Sequence, residues 1–230
     1  MVASTIHPDP AATVIVLRPA VQAFEVLMVH RHPRGFFGSL VVFPGGGVDD
    51  DDRGELAGAV VAGASQDHDH RAAALRELAE EVGLAATPGG VIVSPDLRGA
   101  SLYRELRSRD LTLAAESLVL VSRWVTPELA PRRFDTWFYL LPTDGTPDVR
   151  LDADELLDFT WVTPRKALKK HENGDWPMVL PTLAHLRWLA LRSSMEDAIE
   201  SARGADGRTV IEPVRAEDGS LIPTLIPDHQ

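Results

Sequence analysis

The stretch Arg71-Ala-Ala-Ala-Leu-Arg-Glu-Leu-Ala-Glu-Glu-Val-Gly-Leu84 limits what this chain can fold into more than any other. At about 100° per residue, Glu77, Glu80 and Glu81 fall in one sector of a helix, and Leu75, Leu78 and Val82 fall in another. Such a helix has to lay its apolar face on a core while holding three carboxylates together. Gly83 follows where a residue tolerant of positive φ ends many helices. Like charges three and four positions apart repel by roughly a few tenths of a kcal/mol each. Water, Arg76 or a bound divalent cation therefore has to offset them, and for an arbitrary pair of glutamates water is the commonest answer.

The residues themselves narrow the choice. Arg76-Glu77-Leu78-Ala79-Glu80-Glu81-Val82-Gly83-Leu84 matches the second half of the Nudix box, G-x5-E-x7-R-E-U-x-E-E-x-G-U with U apolar, at every specified position. Upstream, Phe43-Pro44-Gly45-Gly46-Gly47 resembles the Pro-Gly-Gly approach that Nudix hydrolases place before the box. The first half departs from the pattern, with the consensus Gly on Ala62 and the consensus Glu on His68. More residues separate Gly47 from Arg76 than a minimal box allows. That resembles the subgroup with an insertion ahead of the catalytic helix, which includes a peroxisomal coenzyme A diphosphatase. Residues 122–127 and 131–136 are also similar to segments of that subgroup, so the resemblance covers roughly residues 10–190.

The resemblance implies an α/β fold, an α/β/α sandwich around a mixed β-sheet. It also implies hydrolysis of the phosphoanhydride of a nucleoside diphosphate linked to another moiety, with Mg²⁺ or Mn²⁺ as cofactor. Glu77, Glu80 and Glu81 become the metal-side group, joined by a backbone carbonyl of Gly46 or Gly47, and Arg76 orients a glutamate through charge-assisted hydrogen bonds. His68 stands where a supporting glutamate is usual, and a neutral imidazole adds no negative charge there. The box does not fix the base that takes the proton from water. Asp152, Asp154 and Glu155 precede the last expected sheet strand, where other members often place an acid, and Glu155 is the candidate carried forward; Glu116 is a weaker one.

Substrate contacts are less constrained. Arg31, Arg34, Arg132 and Arg133 could pair bidentately with phosphate, and Phe36, Phe37 or Trp137 could stack on a base; surface ion pairing and core packing compete with each of these roles. The diphosphatase signature fits residues 27–31 loosely, and Gly38 lies one residue off. CoA or acyl-CoA is favoured, with ADP-ribose or NADH type substrates left open. A nucleotide-sensing module on the same scaffold is the alternative from another class, since fold does not fix function. Three retained glutamates argue against it.

Charge and composition bound the partners. A formal charge of −11 argues against a nucleic-acid backbone yet allows a small phosphorylated ligand, because a metal can supply the missing positive charge. The absence of cysteine removes disulfides, thiolate zinc and a cysteine nucleophile. No apolar run approaches the roughly 20 residues of a membrane span, and no signal segment is visible, so no membrane partner and a cytoplasmic location are expected. A homodimer stays open.

The 230 residues divide into an expected Nudix domain over 1–203 and a tail over 204–230. Strands are expected at 12–17, 24–30, 40–43, 118–125, 134–141 and 155–162. Helices are expected at 102–107, after Thr163-Pro164, and at 181–203 as one C-terminal helix. The insertion runs from about 48 to 70. Within it, Asp49 to Asp52 read as a solvated acidic loop, with Asp52 capping a helix over 53–64. The pairs His30/His32 and His68/His70 lack an evident third ligand for zinc. Residues 1–10 read as an irregular arm, and Asp218-Gly219 between two apolar runs reads as a hairpin turn in the tail.

Overall fold

A computed structural model describes residues 7–21, 23–33, 38–63, 67–128, 130–145, 147–204, 206–215 and 221–223. Its centre is β1 (Asp9–Pro19), which is apolar on both faces, as a strand covered from both sides must be. Ala12, Val14 and Val16 enter one core, and Ile15 and Leu17 the other. β1 turns back antiparallel onto β2 (Phe24–Arg31), and the short strands β3 (Val41–Val42) and β4 (Gly45–Gly47) then pair with β2 and β1. A turn of 3-10 helix at Asp50–Arg53 leads into α1 (Glu55–Val60), β5 (Val61–Ala62) and α2 (His68–Val82). β6 (Leu84–Thr87) and β7 (Gly90–Val93) form a hairpin, followed by α3 (Gly99–Ser108) and β8 (Leu113–Ala114), which pairs with β5.

The main sheet is completed by β9 (Val119–Val125), β10 (Phe134–Pro142) and β11 (Leu156–Val162). Then come α4 (Pro164–Glu172), α5 (Leu180–Leu189), α6 (Met195–Gly204) and the strands β12 (Val210–Ile211), β13 (Pro213–Arg215) and β14 (Leu221–Pro223). Strand order is β11-β2-β1-β10-β9-β12. The sheet is mixed, because β1/β10 and β9/β12 are parallel while the other pairs are antiparallel. Apolar residues of α1, α2 and α3 cover one face and those of α4, α5 and α6 the other. This is the α/β/α sandwich that the sequence resemblance implies.

Four local expectations change. The first strand begins at Asp9, whose N–H bonds the Arg133 carbonyl at 2.9 Å, so Asp9 and Pro10 are strand rather than irregular arm. The helix read over 53–64 shrinks to α1. The single C-terminal helix is two, because Ser194 Oγ accepts the Asp197 N–H at 3.1 Å and the Asp197 carboxylate accepts the Ser193 N–H at 2.7 Å. Such local bonds end one helix and start another. In the tail, β13 and β14 pair antiparallel, but Val210–Ile211 extends the main sheet along β9; the expected Asp218-Gly219 turn lies outside the described residues. No helix among the described residues is long and apolar enough to cross a membrane.

Candidate active site

The site is built on α2. Leu75, Leu78 and Val82 are fully buried, which fixes the helix on the sheet and turns its carboxylate face toward β4. Its end is fixed too. Gly83 has φ +67°, and a Cβ there would stand 2.9 Å from the Arg150 side chain, so both backbone and space require glycine. The last carbonyls of α2 are taken by the loop between β10 and β11: Arg150 N–H bonds the Val82 carbonyl at 2.9 Å and Asp152 N–H the Glu81 carbonyl at 3.0 Å. Those two bonds bring residues 150–155 alongside the carboxylates.

The glycine turn closes over the same face. Gly45 N–H donates to Glu81 Oε2 at 2.8 Å, and a Cβ on Gly46 would collide with the Glu77 carboxylate. Glu81 is 1% exposed. Its Oε1 lies 3.3 Å from Arg31 Nη1 and has no hydrogen-bond partner among the described residues. Burial pushes the Glu81 carboxyl well above the ordinary range; Arg31 opposes the shift and Glu77 adds to it. Burial likewise raises Glu77, against Arg76 and with Glu80. Ionised carboxylates crowded in this way favour a nearby cation.

Arg76 supplies part of that charge. Only 2% exposed, it bonds Glu77 at 2.9 Å, Glu80 at 3.2 Å and the Gly47 carbonyl at 2.8 Å. Glu80 also accepts the Gly99 N–H at 2.7 Å. The oxygen groups gathered here, Glu77, Glu80, Glu81 and the Gly46 carbonyl, are of the kind that suits a hard divalent ion, and Glu81 Oε1 is a buried acceptor that no donor among the described residues satisfies. These residues fit Mg²⁺ or Mn²⁺. As the side chains stand, no three His, Cys, Asp or Glu residues among those described form a ligand set. Glu77 and Glu80 are turned to Arg76, so holding an ion takes a rotation of both.

The acidic run 49–52 corrects the sequence reading. Asp52 is fully buried and grips Arg76 bidentately, Nε at 2.9 Å and Nη2 at 3.0 Å. It also accepts from Tyr103 Oη at 2.6 Å and from the Asp49 N–H at 2.8 Å. Asp52 is neither solvated nor the cap of a helix over 53–64. It follows Gly46 at the Gly-x5-Glu spacing of the box and precedes Arg76 by 24 positions, far more than x7. The first half of the box is thus Gly46 to Asp52, not Ala62 to His68, and the extra residues fall inside the box. His68 sits in the first turn of α2, 3.7 Å from Asp69.

Of the other residues singled out, Arg31 and Glu155 come together at this site, 3.6 Å apart. Asp152 and Glu155 both pair with Arg98, a residue with no signal in the sequence. Asp154 N–H caps onto Asp152. Glu116 packs at Gly63, where any Cβ would strike it. Arg132 pairs with Asp9 at 3.5 Å, and Arg133 donates to the Thr126 carbonyl at 2.9 Å; these contacts lie at the starts of β1 and β10 rather than on the carboxylates. Trp137 stacks on His70 at 4.8 Å, and His30 lies edge-on to Trp176 at 5.2 Å. Arg34, Phe36 and Phe37 lie outside the described residues.

Comparison with known proteins agrees with this fold. The family model described as NUDIX domain matches residues 7–180. The putative nudix hydrolase 7 of Caenorhabditis elegans is 30% identical over 178 residues, or 72% of this chain, which spans 56% of that protein's length. Among solved structures, the crystal structure of a NUDIX hydrolase from Alicyclobacillus acidocaldarius is similar with a TM-score of 0.73 and 30% identity, covering 86% of this chain and 97% of that one.

Proposed function

The chain belongs to the Nudix family, and from that premise we propose that it is a metal-dependent hydrolase cutting the phosphoanhydride of a nucleoside diphosphate linked to another moiety. One observation carries the proposal. Partly buried Glu77 and fully buried Glu81 meet the Gly45–Gly47 strand at contact distance, with Glu155 brought to the same place by the loop between β10 and β11. A stability role explains this poorly, since buried like charges cost free energy unless something neutralises them. Glu77, Glu80, Glu81 and the Gly46 carbonyl would hold Mg²⁺ or Mn²⁺, which supplies charge to neutralise phosphoryl oxygens and acidifies water.

The rest of the chemistry falls to the chain. Arg76, locked by Asp52, keeps Glu77 and Glu80 gathered beside the Gly45–Gly47 strand until an ion takes them over. Glu155 has a side chain 36% exposed; it is open to water and accepts the proton of the attacking water. Arg31 and Arg34 neutralise the substrate phosphates. The segment between the box halves favours CoA or acyl-CoA, as in the subgroup it resembles, over ADP-ribose or NADH. A sensing module would have no need of three acids crowded on one helix face, so that reading ranks second.

The test is a screen of the purified full chain with Mg²⁺ or Mn²⁺ against CoA, ADP-ribose, NADH and diadenosine polyphosphates, with products weighed by mass spectrometry. Cleavage between phosphates that stops with chelator and returns with metal is expected. Full activity in excess chelator overturns the mechanism, and tight nucleotide binding without turnover on any substrate favours the sensing module.

A further inference from the structure

We propose that Arg98 is a substrate-contacting residue, held ready by Glu155 and Asp152 and transferred to the diphosphate when a substrate enters over α2. The proposal rests on the hydrolase reading above. Arg98 belongs to the segment between β7 and α3, yet three bonds tie its neighbours to the box. Gly99 N–H donates to Glu80 at 2.7 Å, Ala100 N–H donates to Asp51 at 2.8 Å, and Tyr103 Oη donates to Asp52 at 2.6 Å. The first turn of α3 is thereby fixed to α2, and Arg98 is the residue immediately before that turn.

Its side chain is placed unlike that of the other arginine on these acids. Arg76 is sealed among its partners, whereas the Arg98 side chain is 52% exposed and reaches Glu155 at 2.8 Å and also Asp152. Arg31 approaches Glu155 at 3.6 Å, so one carboxylate is shared by two guanidiniums. Ion pairs this open to solvent are worth little and exchange readily. A guanidinium fork matches phosphate oxygens as well as it matches carboxylate. A diphosphate entering over α2 therefore meets a cation that is anchored at its root and held at its tip by exchangeable ion pairs.

The experiment uses the full chain and its Arg98→Gln and Arg98→Lys variants, with α,β-methylene-ADP as a non-hydrolysable probe. Without nucleotide, Arg98→Gln should bind Mn²⁺ more tightly in calorimetry, by about 30-fold for a unit charge removed roughly 4 Å from a divalent ion in water-like surroundings and by less at greater separation. With Mn²⁺ present, it should bind the probe on the order of 10- to 100-fold more weakly, as when a charged hydrogen bond is lost, while Arg98→Lys falls between. On a hydrolysed substrate KM should rise more than kcat falls. A brace with no substrate role would lower the unfolding midpoint and leave probe affinity alone. Unchanged probe affinity, or weaker Mn²⁺ binding in Arg98→Gln, overturns the proposal. If wild type binds the probe and Arg98→Gln does not, but nothing is hydrolysed, the hydrolase reading falls and Arg98 stands as a ligand. If wild type fails to bind the probe, both fall.

Discussion

Replacing Asp52 by Asn leaves the shape almost unchanged and removes one charge from a sealed site. Asp52 accepts four hydrogen bonds, two of them from Arg76, and neither partner is exposed by more than 2%. Removing one member of a buried ion pair costs about 3–5 kcal/mol, because the other charge stays buried. Arg76 keeps Glu77, Glu80 and the Gly47 carbonyl, so the lower end, about 3 kcal/mol, is expected. In a domain of this size that lowers the melting point by about 6–12 °C. Tyr103→Phe removes one hydrogen bond to the same carboxylate and should cost about 1.5–3 kcal/mol. The double variant should lose less than the sum, since both act on one group. Urea unfolding of the metal-free chain by circular dichroism measures all three. Asp50→Asn is the control, since Asp50 is fully exposed two positions earlier in the same acidic run. If Asp52→Asn and Asp50→Asn unfold at the same urea concentration, Asp52 is a surface acid and the reasoning is wrong.

Further outcomes follow from single contacts. Leu78→Ala, on the fully buried face of α2, should cost about 2–5 kcal/mol through burial and cavity terms, read from the same unfolding curves. Gly46→Ala drives a methyl into the Glu77 carboxylate and should weaken Mn²⁺ binding in calorimetry while leaving the fold intact. His185 sits between Ser122 Oγ at 2.7 Å and the Pro181 carbonyl at 2.6 Å, and burial pushes its imidazole down to about 4. The unfolded chain therefore takes up a proton that the native chain refuses. Stability is full above about pH 6.5 and is lost as pH falls toward 4, by about 3 kcal/mol for this group. Glu77 and Glu81, whose carboxyls desolvation raises, push the opposite way. The measurement is accordingly the difference between wild type and His185→Gln across that range, and it should shrink as the pH drops.

The parts legible in the sequence are those whose causes are local. Periodicity places the leucines and the carboxylates of α2 on opposite faces, and Gly83 marks its end. The six main-sheet strands expected from apolar runs correspond to β1, β2, β3, β9, β10 and β11. What was hidden depends on distant partners. Four identical acids at 49–52 differ only in what they reach, and Asp52 reaches Arg76 and Tyr103, 24 and 51 positions away. The one available clue was its distance from Gly46, masked by counting back from Arg76 as if nothing were inserted. The break after α5 escaped because Leu and Trp periodicity runs across it, while the cap rests on Ser193, Ser194 and Asp197. Arg98 carries no periodic or motif signal, since its position follows from where α3 is tied.

The claim that the carboxylate face of α2 is where a diphosphate is cut meets its most direct test in Glu81→Gln. The amide oxygen can still accept the Gly45 N–H, but the charge that a hard cation requires is gone. The measurement is steady-state turnover with Mg²⁺ on the best substrate found, alongside metal-free unfolding. A loss of at least about 100-fold in kcat with metal-free stability held or slightly raised is expected. Wild-type turnover by Glu81→Gln would contradict the assignment of this helix as the catalytic metal site.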